Sequence, residues 1–200
     1  MLKTTVKVSN ITNLSDARYC AGMGVEMLGF DIDKLSLDKF NEMKTWLAGV
    51  QIVGETLSAD WGVVEKLLLD YQPDMVQVSS VTNLSQLKEI GIPILYKVDF
   101  AKDNLPALFQ SIHSDITYFV LENSEATAVL DDATLAMIDA WSFKYPILLG
   151  FGLKKTNLDD CLENTTINGF VFEGSEEIKP GVANSEALMD ALETLESEDF

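Results

Sequence analysis

Residues 4–30, TTVKVSNITNLSDARYCAGMGVEMLGF, contain the pattern that decides the fold prediction. Thr5–Ser9 is short and rich in β-branched residues, which predicts a strand. A polar turn and a segment with helical character follow, and residues 27–30 form a second apolar run. Strand, helix and strand in this order predict a βαβ unit, whose strands are parallel. The first strand ends at Ser9, and its position there raises the question of whether Ser9 takes part in chemistry.

The same alternation continues along the whole chain. Eight short apolar runs are separated by segments with helical spacing, and each run is nearly continuous, as expected of strands buried on both faces. The runs are residues 5–9, 27–30, 50–54, 75–78, 94–98, 118–121, 147–150 and 169–172. Eight such units without a long linker predict an α/β fold, a single (β/α)8 barrel over residues 1–200, rather than an open sheet.

A short polar sequence recurs at the start of three predicted helices. It reads TNLSD at 12–16, TNLSQ at 82–86 and TNLDD at 156–160. In each copy the Asn is expected to cap the helix, and the acidic or amide side chain three residues later completes a capping box. The alternative is a phosphate bound at the helix N-terminus. We favour capping for the first two copies, and both interpretations stay open for the third, which lies where barrels commonly bind phosphate.

Composition limits the class of protein. With 32 acidic and 14 basic residues, the formal charge of −18 repels nucleic acid and anionic membranes. No run of 18 apolar residues and no signal-peptide pattern is present, so we expect a cytoplasmic protein without a membrane segment. Cys20 and Cys161 have no metal-like spacing, and His113 is the single histidine. We therefore expect reduced thiols, no bound metal and no Ser-His-Asp triad.

Several segments, in the right order, resemble the phosphoribosylanthranilate isomerase family. Residues 6–14 (VKVSNITNL) are similar to the family's opening V-K-I-C-G-I-T, and Asp16-Ala17 and an apolar run ending at Phe30 follow as in the family. Weaker matches extend over the remaining chain. They are VQV at 76–78, Lys97, Leu121-Glu122, LGFGL at 149–153, Gly174 and Pro180-Gly181.

The resemblance implies a barrel enzyme with its site at the carboxyl ends of the strands. The family performs an Amadori rearrangement in tryptophan biosynthesis without a cofactor. A general acid protonates the ribose ring oxygen, and a general base removes a proton from the neighbouring carbon. On the matching positions, the base would be Ser9 and the acid Glu122. The substrate-binding positions would be Gln77, Lys97, Gly152, Glu173 and Gly174, with backbone amides holding the phosphate.

Both catalytic positions depart from the family pattern. The family base is a cysteine, whose thiol can be tuned to a thiolate, whereas the hydroxyl of Ser9 needs an adjacent base. The histidine of the family's V-Q-L-H-G is Ser79 here, so we expect Ser9 to be a small polar remnant. Glu122 replaces an aspartate, and a misplacement near 1 Å can cost on the order of 100-fold in rate. Residues 123–127 (NSEAT) replace a glycine-rich loop, and Lys34 is the one cation where the family has an arginine.

The predicted phosphate site departs furthest from the family. Phe151 replaces the first glycine of a G-G pair, and we expect its ring to crowd the backbone approach that glycine permits. Glu173 lies where the family has serine, so a carboxylate would point at the phosphate. Like charges about 4 Å apart in a partly buried site repel by about 4 kcal/mol. We therefore expect most of the affinity for a sugar phosphate to be lost.

The strand ends collect acidic residues around one cation. They are Asp31, Glu55, Asp99, Glu122 and Glu173, against Lys97. Solvated loop charge is the simpler interpretation, and a small-molecule site for a metal ion or an amine is the alternative.

Three functions stay open at this point. The first, which we favour, is a diverged isomerase-like barrel without isomerase activity. The second is an active isomerase with Glu122 as acid and Asp31 or Asp33 as base. The third is a non-enzymatic binding or assembly module that uses Trp46, Trp61 or Trp141. The sequence predicts no oligomeric state.

Overall fold

The computed structural model describes residues 1–101, 104–125, 128–175, 177–179, 182–183 and 185–197. Within these residues, eight parallel strands alternate with eight helices. The strands are β1 (Thr5–Ser9), β2 (Met27–Asp31), β3 (Gln51–Glu55), β4 (Met75–Val78), β5 (Ile94–Asp99), β6 (Tyr118–Glu122), β7 (Ile147–Leu149) and β8 (Gly169–Glu173). The helices are α1 (Leu14–Met23), α2 (Leu37–Lys44), α3 (Trp61–Tyr71), α4 (Leu84–Ile90), α5 (Leu105–Ile112), α6 (Asp132–Ser142), α7 (Leu158–Asn164) and α8 (Glu186–Thr194). Each predicted strand is confirmed, with no end displaced by more than one residue.

The eight strands close into a barrel in sequence order, which confirms the predicted (β/α)8 fold. β8 closes the barrel by pairing with β1 over five residues, from Thr5 opposite Gly169 to Ser9 opposite Glu173. At Gly169 the two strands approach very closely, because a Cβ there would lie 2.7 Å from the carbonyl carbon of Thr5. The close pairing of β1 with β8 therefore requires a glycine at position 169.

One layer of apolar side chains fills the centre of the barrel. Its members each come from a different strand and are Met27, Val53, Met75, Leu95, Val120, Leu148 and Val171. Because side chains two residues apart on a strand point to the same face, the residues two positions further along form the next layer toward the carboxyl ends. A larger cluster, which includes Phe30, Phe40 and Phe109, forms a second core. The apolar layer thus forms the floor on which polar side chains are placed.

The repeated TNL sequence serves different roles in its three copies. Asn13 caps α1 as predicted, since its side chain accepts from the backbone N of Asp16 at 2.9 Å and donates to the Asp16 carboxylate at 3.1 Å. Asn83 and Asn157 occupy the predicted N-cap positions of α4 and α7, but neither side chain makes a cap hydrogen bond. Asn157 instead accepts from the backbone N of Lys154 and donates to the carbonyl of Gly152, at 2.8 and 3.0 Å. It therefore braces the turn after β7.

The structure adds a small feature that the sequence pattern did not predict. β9 (Glu177–Lys179) and β10 (Val182–Ala183) form a two-stranded antiparallel sheet between β8 and α8. Strands of three and two residues are too short to show an alternating pattern. Two predictions lie outside the described residues: the match at Pro180-Gly181 and the second half of the replaced loop, residues 126–127.

The two cysteines are buried, whereas the three tryptophans differ in exposure. Cys20 and Cys161 are free and buried, and burial raises the pKa of the Cys20 thiol to about 12. Trp61 and Trp141 pack partly buried against the core. Trp46 is 63% exposed, with the Arg18 guanidinium 5.6 Å from its ring centroid. None of the described helices is long and apolar enough to cross a bilayer.

Candidate functional site

A polar cavity of about 220 Å³ opens at the carboxyl ends of the strands. It lies on the layer that follows the apolar floor, at positions Gly29, Glu55, Gln77, Lys97, Glu122, Gly150 and Glu173. Five carboxylates line the cavity, those of Asp31, Asp33, Glu55, Glu122 and Glu173, against the ammonium groups of Lys34 and Lys97. The structure thus brings together Ser9, Gln77, Lys97, Glu122 and Glu173, the predicted site residues of five different strands.

Lys7 is fully buried beneath this cavity. Its Nζ donates to Oγ of Ser9 and to Oε1 of Glu55, whose other oxygen accepts from the backbone N of Asn10 at 3.0 Å. Gly29 leaves room for the pair, since a Cβ there would lie 2.6 Å from the carboxyl carbon of Glu55. Lys7 was not among the predicted site residues. The available signal was its position two residues before Ser9, which places both side chains on one face of β1.

Lys97 and Glu122 form a second ion pair on neighbouring strands. Nζ of Lys97 lies 2.5 Å from Oε2 of Glu122, and both side chains line the cavity. Burial opposes the charge on Lys97, but the hydrogen bond and charge of Glu122, together with Glu173 and Glu55, outweigh it and raise the pKa of Lys97. The predicted acid is therefore held against an ammonium group that keeps its own proton.

Glu173 is the one cavity carboxylate without a hydrogen bond or ion pair to any residue that the structure describes. Its side chain reaches solvent at the cavity mouth. Partial burial raises the pKa of the Glu173 carboxyl, and the carboxylates of Glu55 and Glu122 raise it further, against the opposite effects of Lys7 and Lys97. A positive charge placed near this carboxylate would therefore stabilise its ionised form.

Gln77 extends from β4, on the opposite side of the barrel from β8. It lines the cavity and is 6% exposed. Its Oε1 is buried and has no hydrogen-bond partner among the described residues. Buried polar atoms are nearly always paired in folded proteins, so an unpaired amide at a cavity wall marks a place for a ligand group or water.

The remaining acidic residues are used within the protein. Asp31 pairs with Lys34 at 2.6 Å. Asp33 accepts from Oγ1 of Thr56 and from the backbone N of Leu57, both at 2.7 Å. The predicted rim residue Asp99 does not line this cavity; it accepts at 3.1 Å from the backbone N of Ala101 and of Ser124 and so braces two loops. Asp31 and Asp33, the two residues proposed as a substitute base, are thus both engaged within the protein.

The predicted phosphate turns make other contacts. The backbone N of Gly174 donates to the carbonyl of Ser9 at 2.7 Å, and the backbone N of Ser175 donates to the Asp16 carboxylate at 2.9 Å. Neither amide is free for a phosphate. Gly152 has φ of +66°, and Leu130 packs against it. The Phe151 ring is buried with its centroid 5.2 Å from that of Phe100, so it belongs to the core rather than crowding a ligand turn as expected.

Asp16 is a buried carboxylate that joins α1 to the segment between β8 and α8. It accepts hydrogen bonds from the side chains of Asn13, Ser175 and Ser185 and from the backbone N of Ser175. Burial disfavours its charge, but these hydrogen bonds outweigh burial and hold the pKa of Asp16 below its usual value. The carboxylate thus takes the amide that a phosphate would otherwise use.

We expect Asp16→Asn to lower the free energy of unfolding by about 2 kcal/mol at pH 7, because hydrogen bonds to a charged group are lost. A lowered pKa in the folded state stabilises fully above the unfolded-chain value of about 3.9 and is lost as pH falls through the lowered value. Urea titrations at pH 7, 5, 4 and 3 should therefore show the difference from wild type shrinking at the acidic end. The exposed Asp160→Asn change is the control, and an equal effect from it would contradict the assignment.

Metal binding finds no support in the described part of the chain. No group of three or more His, Cys, Asp or Glu side chains there is placed to hold a metal ion. The cavity carboxylates are instead distributed around the wall and, apart from Glu173, engaged by lysines or by hydrogen bonds. The arrangement is that of a polar, carboxylate-lined cavity at the carboxyl ends of a (β/α)8 barrel.

Solved structures with this fold are numerous. A phosphoribosyl anthranilate isomerase from Thermus thermophilus has a TM-score of 0.75 and 17% identity, covering 96% of this chain and 98% of its own. Phosphoribosyl anthranilate isomerase in complex with reduced 1-(o-carboxyphenylamino)-1-deoxyribulose 5-phosphate has a TM-score of 0.73, 16% identity and the same coverage. A 3-hexulose-6-phosphate synthase has a TM-score of 0.68 and 12% identity, covering 96% of this chain and 100% of its own.

At such identities the likeness concerns the fold. The chain folds as a (β/α)8 barrel similar to that of phosphoribosylanthranilate isomerases. The 3-hexulose-6-phosphate synthase has the same fold, so the fold alone does not identify an activity. No protein-family model and no curated protein matches the sequence. The argument for a function must therefore come from the side chains that line the cavity.

Proposed function

We propose that this protein is a diverged member of the phosphoribosylanthranilate isomerase family that has lost the isomerase reaction and retains a small-molecule site at the carboxyl end of its barrel. The observation that carries the proposal is the engagement of both catalytic positions by buried or half-buried lysines: Ser9 by Lys7 and Glu122 by Lys97. Two free, buried thiols agree with a cytoplasmic location.

The contacts at the position of the family base argue against base chemistry there. A serine hydroxyl acts as a base or nucleophile only when a neighbouring group removes its proton. The neighbour here is Lys7, whose ammonium group donates to Ser9 and is paired with Glu55. Ser9 therefore accepts a hydrogen bond from a cation, and this contact disfavours a role as general base.

The position of the family acid is also engaged by a lysine. A general acid must hold a proton within reach of the substrate. Glu122 is held in an ion pair, 2.5 Å from the ammonium group of Lys97. Protonating a ring oxygen from this pair would first require breaking it. Together with the engaged amides of Gly174 and Ser175 after β8, these contacts support the loss of the isomerase reaction.

The test is complementation of a tryptophan auxotroph that lacks the isomerase, combined with an assay of the purified protein on phosphoribosylanthranilate. We expect no growth and no turnover above the uncatalysed rate. A Glu122→Gln variant should be indistinguishable from wild type in the assay, because no reaction depends on this carboxylate. Rescue of growth by the wild-type gene would contradict the proposal.

A second candidate, an active isomerase, has one observation in its favour. Asp31, Asp33 and Glu122 line the same cavity, so an acid and a substitute base could reach one ligand. This candidate expects measurable turnover that Glu122→Gln abolishes. The same assay therefore separates the two functions.

A further inference from the structure

We infer that the cavity binds its ligand through a cationic nitrogen, as a small ammonium-bearing polar molecule that spans from Glu173 on β8 to Gln77 on β4. The inference rests on the proposed function and adds the charge and size of the ligand. The inferred ligand is positively charged, whereas the phosphate-bearing substrate that the resemblance implies is negatively charged.

The charge of the cavity carries the first step. Each lysine of the site is already paired: Lys7 with Glu55, Lys34 with Asp31 at 2.6 Å, and Lys97 with Glu122 at 2.5 Å. Of the two further carboxylates, that of Asp33 accepts two hydrogen bonds at 2.7 Å. With three lysines against five carboxylates, the pocket keeps two negative charges: that of Asp33, which is hydrogen-bonded, and that of Glu173, which has no partner among the described residues. A ligand ammonium at Glu173 would supply the missing charge-assisted hydrogen bond.

Gln77 is the second, independent observation. It is 6% exposed, lines the same cavity and has a buried amide oxygen without a partner in the described structure. Because β4 and β8 are four strands apart in a closed eight-stranded barrel, Gln77 and Glu173 approach the cavity from opposite walls. A ligand that meets both must carry a second polar group, such as a hydroxyl, for the amide of Gln77.

Size and ligand geometry narrow the class further. The cavity of about 220 Å³ is smaller than the roughly 300–1,000 Å³ typical of sites for drug-sized ligands. A metal ion would need several oxygen ligands converging on one point, and no such group of acidic side chains exists among the described residues. An organic amine needs one carboxylate, which is what Glu173 offers.

The test compares three sugars of similar shape that differ in charge: glucosamine, glucose and glucose 6-phosphate. Binding to the full chain is measured at pH 7 by titration calorimetry and by ligand-observed NMR. We expect glucosamine to bind about tenfold more tightly than glucose, since a charge-assisted hydrogen bond contributes about that factor, and glucose 6-phosphate not to bind. Glu173→Gln should reduce glucosamine binding about tenfold, to the level of glucose. Glu65→Gln, on the exposed face of α3, should leave it unchanged.

Each other outcome has a definite meaning. Equal binding of glucosamine and glucose, an effect of Glu173→Gln no larger than that of Glu65→Gln, or no binding of any sugar would overturn the inference. Tighter binding of glucose 6-phosphate would overturn it as well. None of these results restores isomerase turnover, which is measured separately, so failure of the inference and failure of the proposed function remain distinguishable. The wild-type comparison of glucosamine with glucose needs no variant to fold.

Discussion

Glu55→Ala is expected to lower the free energy of unfolding by about 3–5 kcal/mol, because it leaves the ammonium group of Lys7 buried without its partner. Lys7 is fully buried, and its described polar partners are Glu55 and Ser9. A hydroxyl cannot replace a carboxylate as counter-charge. Chemical denaturation with circular dichroism at pH 7 measures the loss.

A double variant and a surface pair provide the controls for this result. Lys7→Met combined with Glu55→Ala removes both charges, so we expect it to be more stable than Glu55→Ala alone. The exposed pair of Lys3 and Asp159, 2.9 Å apart, should contribute less than about 1 kcal/mol when Asp159→Ala removes it. If Glu55→Ala cost no more than Asp159→Ala, the buried pair would not be the structural element that we describe.

Gly169→Ala is expected to destabilise the barrel by about 3 kcal/mol or more, through strain where β8 meets β1. A Cβ at this position would lie 2.7 Å from the carbonyl carbon of Thr5, which is backbone and cannot rotate away. The first pairing between β1 and β8, Thr5 opposite Gly169, would have to separate. Overpacking of this kind typically costs 1–3 kcal/mol against side chains, and rigid backbone makes the cost larger.

Gly22→Ala is the matched control for the glycine change. Gly22 lies in α1, and a Cβ there has no heavy atom within 4 Å. We expect this variant to gain about 0.5–1 kcal/mol, because alanine favours the helix. Thermal unfolding of both variants should shift the melting temperature in opposite directions. A Gly169→Ala variant as stable as wild type would show that β1 and β8 do not pack as closely as described.

The sequence predicted the barrel well because its strands carry a strong local signal. Runs such as residues 94–98 are apolar and bounded by polar turns. Their regular alternation with helical segments predicts a parallel sheet. The capping prediction succeeded at Asn13, where the side chain bonds locally to Asp16. At Asn157 the predicted position is right but the predicted cap hydrogen bond is absent, because that side chain instead bonds the turn after β7.

The site was less predictable, because its contacts join distant parts of the chain. The pair of Lys7 and Glu55 spans 48 residues, and the link of Asp16 to Ser175 spans 159. No pattern within a single segment reveals such contacts. The expected clash of Phe151 assumed that its ring faces the ligand, whereas the turn after β7 directs it into the core. Glu173 was singled out from its position alone, and the structure adds that it has no described partner.

The most direct test of the central claim is calorimetric titration of the purified chain with reduced 1-(o-carboxyphenylamino)-1-deoxyribulose 5-phosphate, the compound held by the isomerase of the same fold. We predict no saturable heat, because Glu173 opposes the phosphate and the amides of Gly174 and Ser175 are engaged. Saturable one-to-one binding to the wild-type chain would contradict the account.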